Sequence, residues 1–434
     1  MTRSLSTARS DTENRLLEPT SLRITSLVLS GLLLTACATQ GGVTSKASAS
    51  SQPAAAVATA AYPEGLRLPR RRFTVTASAP DEVFPSGLSQ STADKTTMVA
   101  HFINVGQGDA TLLEFSCAAV LIDTGGEKTH DVSGRANLKA FLTDFFQHRS
   151  DLAYTLDLVV LSHAHIDHTD GVPGLAEITP AITIKNVIDN NEHATGSGIA
   201  GQKQLEKLVV DQGGHYQGIA ESDITTTSGL TNSTISPVHC AGNGGVDPKF
   251  TALWGHVDSS ISWSSNQNND SLVVRVDFGK ASFLFMGDLQ EEAIKAMLES
   301  YQDDLSLFNV DVLKVGHHGS SNATTAPLVS AVKPKIAVIQ AGDSTLSHEL
   351  FSAYSYGHPN RQAINLLLAS PDGVSLSRPT KHVRVGISGR NPSTNAPPKF
   401  TEMDISKAIY SASWDGNIAV IAHKDGSLSV ETEY

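Results

Sequence analysis

The sequence predicts an α/β layered fold, and two patterns predict it. Runs of four to eight mostly β-branched and apolar residues, bounded by Gly, Asp and Asn, recur along the chain. Between them fall segments whose apolar residues repeat with helical spacing. Elements that alternate in this way bury their apolar faces by stacking in layers. Composition agrees: 434 residues, 40% hydrophobic and 18% charged, describe a globular chain and not a disordered or fibrous one. Lys+Arg 32 against Asp+Glu 44 gives −12, so no general basic surface is available to hold nucleic acid.

The first element is an address. Arg3, Arg9, Arg15 and Arg23 precede an apolar stretch from Ile24 to Leu34. A membrane span needs about 20 residues, so this shorter run reads as a signal-peptide core. It ends in Leu34-Thr35-Ala36-Cys37, which resembles the lipoprotein box of bacteria. That resemblance implies cleavage after residue 36, lipid on Cys37 and a membrane partner reached through the anchor. Ala38, in place of a retaining Asp, implies the outer membrane, facing the periplasm, in a Gram-negative host. With Cys37 lipidated, Cys117 and Cys240 are left as a possible pair in an oxidising compartment.

Residues 38–61 are Ala, Ser, Thr, Gln and Gly with almost nothing large and apolar, a tether that cannot offset its own ordering entropy. The expected organisation is signal 1–36, lipidated Cys and linker 37–95, catalytic domain 96–380 and a C-terminal β-rich extension 381–434. Within the domain, strands are expected at 99–105, 110–115, 118–123, 156–162, 182–188, 271–278, 281–287, 310–316 and 335–341. Leu138, Phe141, Leu142, Phe145 and Phe146 make one helical stripe, and Leu205, Leu208 and Val209 a second. Ala293, Ile294, Met297, Leu298 and Tyr301 make a third. Residues 218–270, rich in Ser, Thr, Asn and Gly, read as a loop-rich insertion. Ile409 to Val430 alternates apolar and polar with Asp-Gly at 415–416 and 425–426, which predicts a β-meander at the edge of the core.

The chemistry lies where strands end. Leu158 to Asp170 reads LVVLSHAHIDHTD, a strand running into His163, His165, Asp167 and His168. Residues leaving a strand aim alternate side chains at one point, so His163 and His165 can share one metal while Asp167 and His168 reach a second. Imidazole and carboxylate suit zinc first, with manganese and iron as alternatives. Unpaired buried polar groups are costly, so four such residues in six positions are poorly explained as packing. Two further strands end in ligand types: FLFMGD at Asp288, and VLKVGHHGS at His317 and His318.

Together these blocks resemble the metallo-β-lactamase fold superfamily. More narrowly they are similar to the soluble metallohydrolase domain of ComEC-type DNA-uptake competence proteins and to related phosphorylcholine esterases. The matching stretches are FINVGQGDATLLEF, VLIDTGG, LSHAHIDHTDG, NNDSLVVRVDFGKASFLFMGDL, DVLKVGHHGSS and YGHP, spanning about residues 99–370. The resemblance implies an αβ/βα sandwich with a dinuclear site at one edge. It implies His163, His165, Asp167 and His168 as ligands, Asp288 as the bridge and His318 as a ligand to the second metal. His317 then faces the substrate, though the reverse assignment of the pair stays open. Asp123 and Asp109 orient the ligands, with Gln107 on the same wall, and His358 is a substrate-side histidine. The chain departs from its relatives at Asn104, where they carry Asp. It also lacks an obvious sixth ligand, for which Asp270 and His256 are the two candidates.

The implied mechanism is attack by a hydroxide held between two divalent metals, with His317 or His358 protonating the leaving oxygen. Asp167 and the two histidines are therefore the expected catalytic side chains. The expected substrate is a phosphodiester, a small molecule or DNA, with the negative charge favouring the former. No protein partner is expected. The rivals are β-lactamase or other ester hydrolysis on the same fold, and a non-catalytic surface lipoprotein.

Overall fold

In the computed structural model, residues 71–74 and 93–434 are described, apart from 130, 131, 193–195, 259 and 347–349. The signal segment, Cys37 and most of the linker lie outside the described residues. Two sheets dominate. The first has nine strands in the order Arg71–Thr74, Leu428–Thr432, Ile418–His423, Thr97–Phe102, Thr111–Glu114, Ala119–Ile122, Leu158–Val160, Asn186–Asp189 and His215–Gly218. The second has six, in the order Lys249–Trp254, Val273–Phe278, Ala281–Phe285, Val312–Lys314, Ile336–Ile339 and Ile409–Ser411.

Period-two alternation sorts the first sheet's side chains between two cores. Leu113, Val120, Ile122, Leu158 and Val160 face inward and join Val274, Val276, Phe283 and Phe285 of the second sheet. Leu112, Leu121, Val159 and Val187 point the other way, onto the stripes of helices Gly134–His148 and Ile199–Asp211. Helices Glu291–Ser300, Ala326–Val332 and Arg361–Ala369 bury their stripes with the second sheet. The result is the expected αβ/βα sandwich. Among the described residues no helix is long and apolar enough to cross a membrane.

Three expectations need correction. Residues 218–270 are not only loop: Lys249–Trp254 pairs antiparallel with Val273–Phe278 and forms an edge of the second sheet, burying Phe250 and Trp254. A six-residue strand in a polar segment leaves too weak a periodicity to stand out. The C-terminal meander does not form at one edge. Ile409–Ser411 pairs parallel with Ile336–Ile339 in the second sheet, while Ile418–His423 enters the first beside Thr97–Phe102. Only Asp425-Gly426 turns a hairpin; Asp415-Gly416 ends the short helix Ala412–Asp415. Alternation reports a strand but not the sheet it joins, and Ile418 to Ala422 are in fact buried on both faces. Finally, Arg71–Thr74, inside the span read as linker, pairs with Leu428–Thr432.

Cys117 and Cys240 form a disulfide with Cα atoms 5.5 Å apart, pinning the insertion to the turn after Thr111–Glu114. The link closes a long loop, so the double change Cys117→Ser with Cys240→Ser should lower unfolding stability by roughly 2–5 kcal/mol. Urea denaturation of the oxidised parent and the variant measures this, and an unchanged midpoint contradicts it.

Candidate metal centre

Each ligand-type side chain leaves the C-terminal end of a parallel strand. Ala119–Ile122, Leu158–Val160 and Asn186–Asp189 run parallel in the first sheet, as do Ala281–Phe285, Val312–Lys314 and Ile336–Ile339 in the second. Loops leaving these ends in an open α/β sheet converge on one crevice.

Asp123 comes first. It sits just past Ile122 with φ +55, a left-handed conformation that turns its carboxylate back onto the next strand. Its Oδ1 accepts the backbone N–H of Ser162 at 2.7 Å, and Oδ2 accepts the Ser162 hydroxyl at 2.8 Å. Oδ2 also lies 2.8 Å from His168 Nδ1, which directs His168 Nε2 toward Asp288 Oδ1 at 3.3 Å. On the far side His318 Nε2 is 3.2 Å from Asp167 Oδ2 and 3.3 Å from Asp288 Oδ2. Asp167, His168, Asp288 and His318 thus form one convergent group. His163 Nε2 and His165 Nδ1 approach to 3.0 Å beside it, with the His163 ring 4.2 Å from that of His168.

His317 and His318 both adopt left-handed φ, +47 and +53, so the two rings leave the strand end in different directions. His318 is buried, and its Nδ1 donates to the Gln340 carbonyl at 2.9 Å. The His317 side chain is 22% exposed, and its Nε2 stays 3.8 Å from Asp288. The buried His358 ring stands 5.7 Å from His317 and 6.2 Å from His318, and Gln107 Nε2 donates to its Nδ1 at 3.2 Å.

Asp270 and His256 are brought together with each other. His256 Nδ1 lies 3.6 Å from Asp270 Oδ1, and Glu192 completes this separate group. Neither makes a hydrogen bond or ion pair with His163 or His165; Asp270 instead accepts the Val257 N–H at 3.0 Å. Asn104 is structural, capping Gly106 N and receiving Asn137 on its carbonyl.

Sequence reasoning missed Lys314. It is fully buried in the strand leading to His317, ion-paired to Asp109 and 3.4 Å from the Gly287 carbonyl. A lysine inside the apolar run VLKV was the available signal. Gln340 was missed too: it receives Thr111 and donates to the Ala110 carbonyl, fastening the two sheets beside Asp109.

Burial opposes charge on every group here, and the neighbours decide the outcome. His168 rises to about 10 against burial because of Asp288 and Asp123; His318 rises to about 10 because of Asp288 and Asp167. Asp288 and Asp167 fall below the ordinary carboxylate range, again against burial, through the same histidines. Burial lowers His163, His317 and His358. Among the described residues, buried His168 Nε2 and Asp288 Oδ1 meet no polar atom but one another, at 3.3 Å and short of a well-formed hydrogen bond. Two imidazoles and two carboxylates with unspent lone pairs are the donor set of a divalent ion, so the residues fit a metal.

A family model described as the metallo-beta-lactamase superfamily matches residues 103–343. ComE operon protein 3 of Bacillus subtilis (strain 168) is 27% identical over 282 residues, 61% of this chain and 30% of that protein. Recombination protein 2 of Haemophilus influenzae is 24% identical over 248 residues, 57% of this chain and 25% of that protein. The chain therefore spans well under half the length of these curated relatives. Among solved structures, the metallo-beta-lactamase fold protein YhfI from Bacillus subtilis matches at 18% identity and TM-score 0.32, covering 56% of this chain and 85% of that one.

Two outcomes follow from this geometry. His318→Ala should lower metal content toward about one ion per chain, whereas His317→Ala should keep about two and lose rate. Mass-spectrometric metal analysis decides between this and the reverse assignment. In metal-free protein, the raised pKa of His168 and His318 stabilises the fold fully below about pH 6.5 and is lost as pH rises toward 10. Added metal takes the place of those protons, so the gain in melting temperature on metal addition should grow with pH across that window. A gain independent of pH contradicts the assignment.

Proposed function

Because this chain belongs to the metallo-beta-lactamase superfamily, we propose that it is an exported, lipid-anchored phosphodiesterase holding two divalent ions, zinc in the first place. The broader class, a metal-dependent hydrolase, follows from the family and from the convergent ligand set. The observation that carries the reading is the convergence of Asp167, His168, Asp288 and His318, in which buried His168 Nε2 and Asp288 Oδ1 meet only one another. Asp167, His168, Asp288 and His318 would hold one ion, with His163 and His165 beginning the other site. When bound, such ions supply Lewis acidity and let water ionise near neutral pH.

The chain's own side chains do the rest. His317, lowered by burial, is neutral at pH 7, and in the tautomer whose Nδ1 accepts from Gln290 Nε2 it offers its Nε2–H to a phosphoryl oxygen. Gln107 donates to His358 Nδ1, which leaves the His358 proton on Nε2, where it can donate a hydrogen bond to a leaving oxygen. Two such donors beside the ligands suit a diester, whose two non-bridging oxygens share a negative charge. The chain's −12 charge supports a small diester over a long polyanion. Export is supported by the Leu-Thr-Ala-Cys box and by the Cys117–Cys240 pair, which belongs to an oxidising compartment.

The test is a panel of bis(p-nitrophenyl) phosphate, single- and double-stranded DNA, glycerophosphocholine and a chromogenic cephalosporin. Diester turnover should exceed cephalosporin turnover, and Asp167→Ala or Asp288→Ala should lower it by at least ~100-fold. Cephalosporin turnover alone would make the lactam reading correct, and no turnover by metal-replete protein would favour a binding lipoprotein. Separately, Cys37→Ser should block acyl labelling and release the protein from membranes; unchanged labelling overturns the anchor.

A further inference from the structure

We propose that Tyr356 is a substrate-contacting residue whose hydroxyl donates a hydrogen bond to a non-bridging oxygen of the diester. The proposal rests on the phosphodiesterase reading and adds a donor from beyond residue 343, where the family match ends.

The backbone around Tyr356 is held with little freedom. It closes the short helix Ala353–Tyr356, which Ser352 caps by accepting the Ser355 N–H. Gly357 follows at φ +70, and a Cβ there would stand 2.8 Å from the Ser388 backbone. The antiparallel hairpin of Ser377–Ser388 and Lys399–Lys407 grips this turn from outside. Gly386 N donates to the Pro359 carbonyl at 2.8 Å, Arg390 N donates to the Ser355 carbonyl at 2.7 Å, and Phe400 stacks on Tyr354 at 5.5 Å.

What that grip presents is an aromatic donor beside the ligands. The Tyr356 ring lies nearly parallel to His358, 5.6 Å away at 26°, and His358 in turn stands beside His317 and His318. His358 is buried, whereas Tyr356 is 41% exposed. Its phenol is pushed up to about 12 by burial and by the Asp167 carboxylate, offset by His318, so it stays protonated throughout the physiological range. Among the described residues its hydroxyl has no hydrogen-bond partner, and a tyrosine serving only to pack against His358 has no need of that hydroxyl. The placement fits a group that donates to the charge arriving at the ligand cluster.

Tyr356→Phe keeps the ring and its stacking and removes only the donor. The expected result is a 10- to 100-fold loss in kcat/KM for bis(p-nitrophenyl) phosphate with metal content unchanged. Titration calorimetry with inorganic phosphate should show binding weakened about tenfold. With the two diastereomers of a phosphorothioate diester, the penalty should shrink for one and persist for the other, because sulfur at the bonded position has already weakened that contact. An unchanged kcat/KM, or an equal penalty for both diastereomers and the oxygen diester, overturns the role of Tyr356. If the wild-type protein turns over no diester at all, the phosphodiesterase reading itself falls and this inference with it.

Discussion

The site depends on one buried carboxylate that binds no substrate. Asp123 accepts the Ser162 N–H, the Ser162 hydroxyl and His168 Nδ1, and it does so from a left-handed backbone just past its strand. These bonds hold the loop that carries His163, His165, Asp167 and His168 against the neighbouring strand end. They also fix which nitrogen of His168 is left for Asp288. An imidazole whose second nitrogen is anchored loses little freedom when the first takes a ligand, which is why such supporting groups matter as much as the ligands they hold. Residues around it leave no slack: a Cβ on Gly125 would fall 1.5 Å from the Asp167 carbonyl oxygen, so only glycine lets the Asp123 turn lie against the ligand loop.

The second sheet is fastened to this loop by charge. Lys314 reaches Asp109 across the sandwich and lies near the Gly287 carbonyl, one residue before Asp288. Burial lowers the lysine to about 7, and the Asp109 carboxylate is the charge it pairs with. A buried pair of this kind contributes little net stability but costs several kcal/mol when one member is removed. Its use is registration: Asp109 belongs to the half that carries the histidine loop, Lys314 to the half that carries Asp288 and His318. Four carboxylates in one small volume would repel without the histidine protons or the cations that replace them.

The sandwich and the His and Asp residues at its strand ends were legible because they rest on local pattern, whereas Asp123 was legible only through the family resemblance. Apolar runs mark strands, and a His or Asp immediately after such a run marks the crevice edge. What was not legible is non-local. Nothing near Ile409 or Ile418 says that one joins the second sheet and the other the first, since both choices bury the same apolar faces. Lys249–Trp254 is an edge strand in polar surroundings and carries almost no periodic signal. The pairing of Asp270 with His256 was hidden for the same reason: the two were alternatives on sequence and are neighbours in space, joined through the Val257 N–H.

The C-terminal segment is therefore part of the site's construction and not an appendage. Ile409–Ser411 extends the second sheet beside Ile336–Ile339, the strand just before Gln340, whose carbonyl receives His318. Arg378 ion-pairs with buried Asp415 and lies over Tyr410, tying the hairpin Ser377–Lys407 to that same strand. The hairpin then grips the turn that carries His358. Residues after 343 thus act on the crevice from two directions, through a sheet that supports His318 and through a clamp that supports His358. A family match that stops at 343 covers the histidine loop and the strand ends that carry Asp288 and His318, but the side of the crevice formed by His358 is completed by chain that lies beyond it.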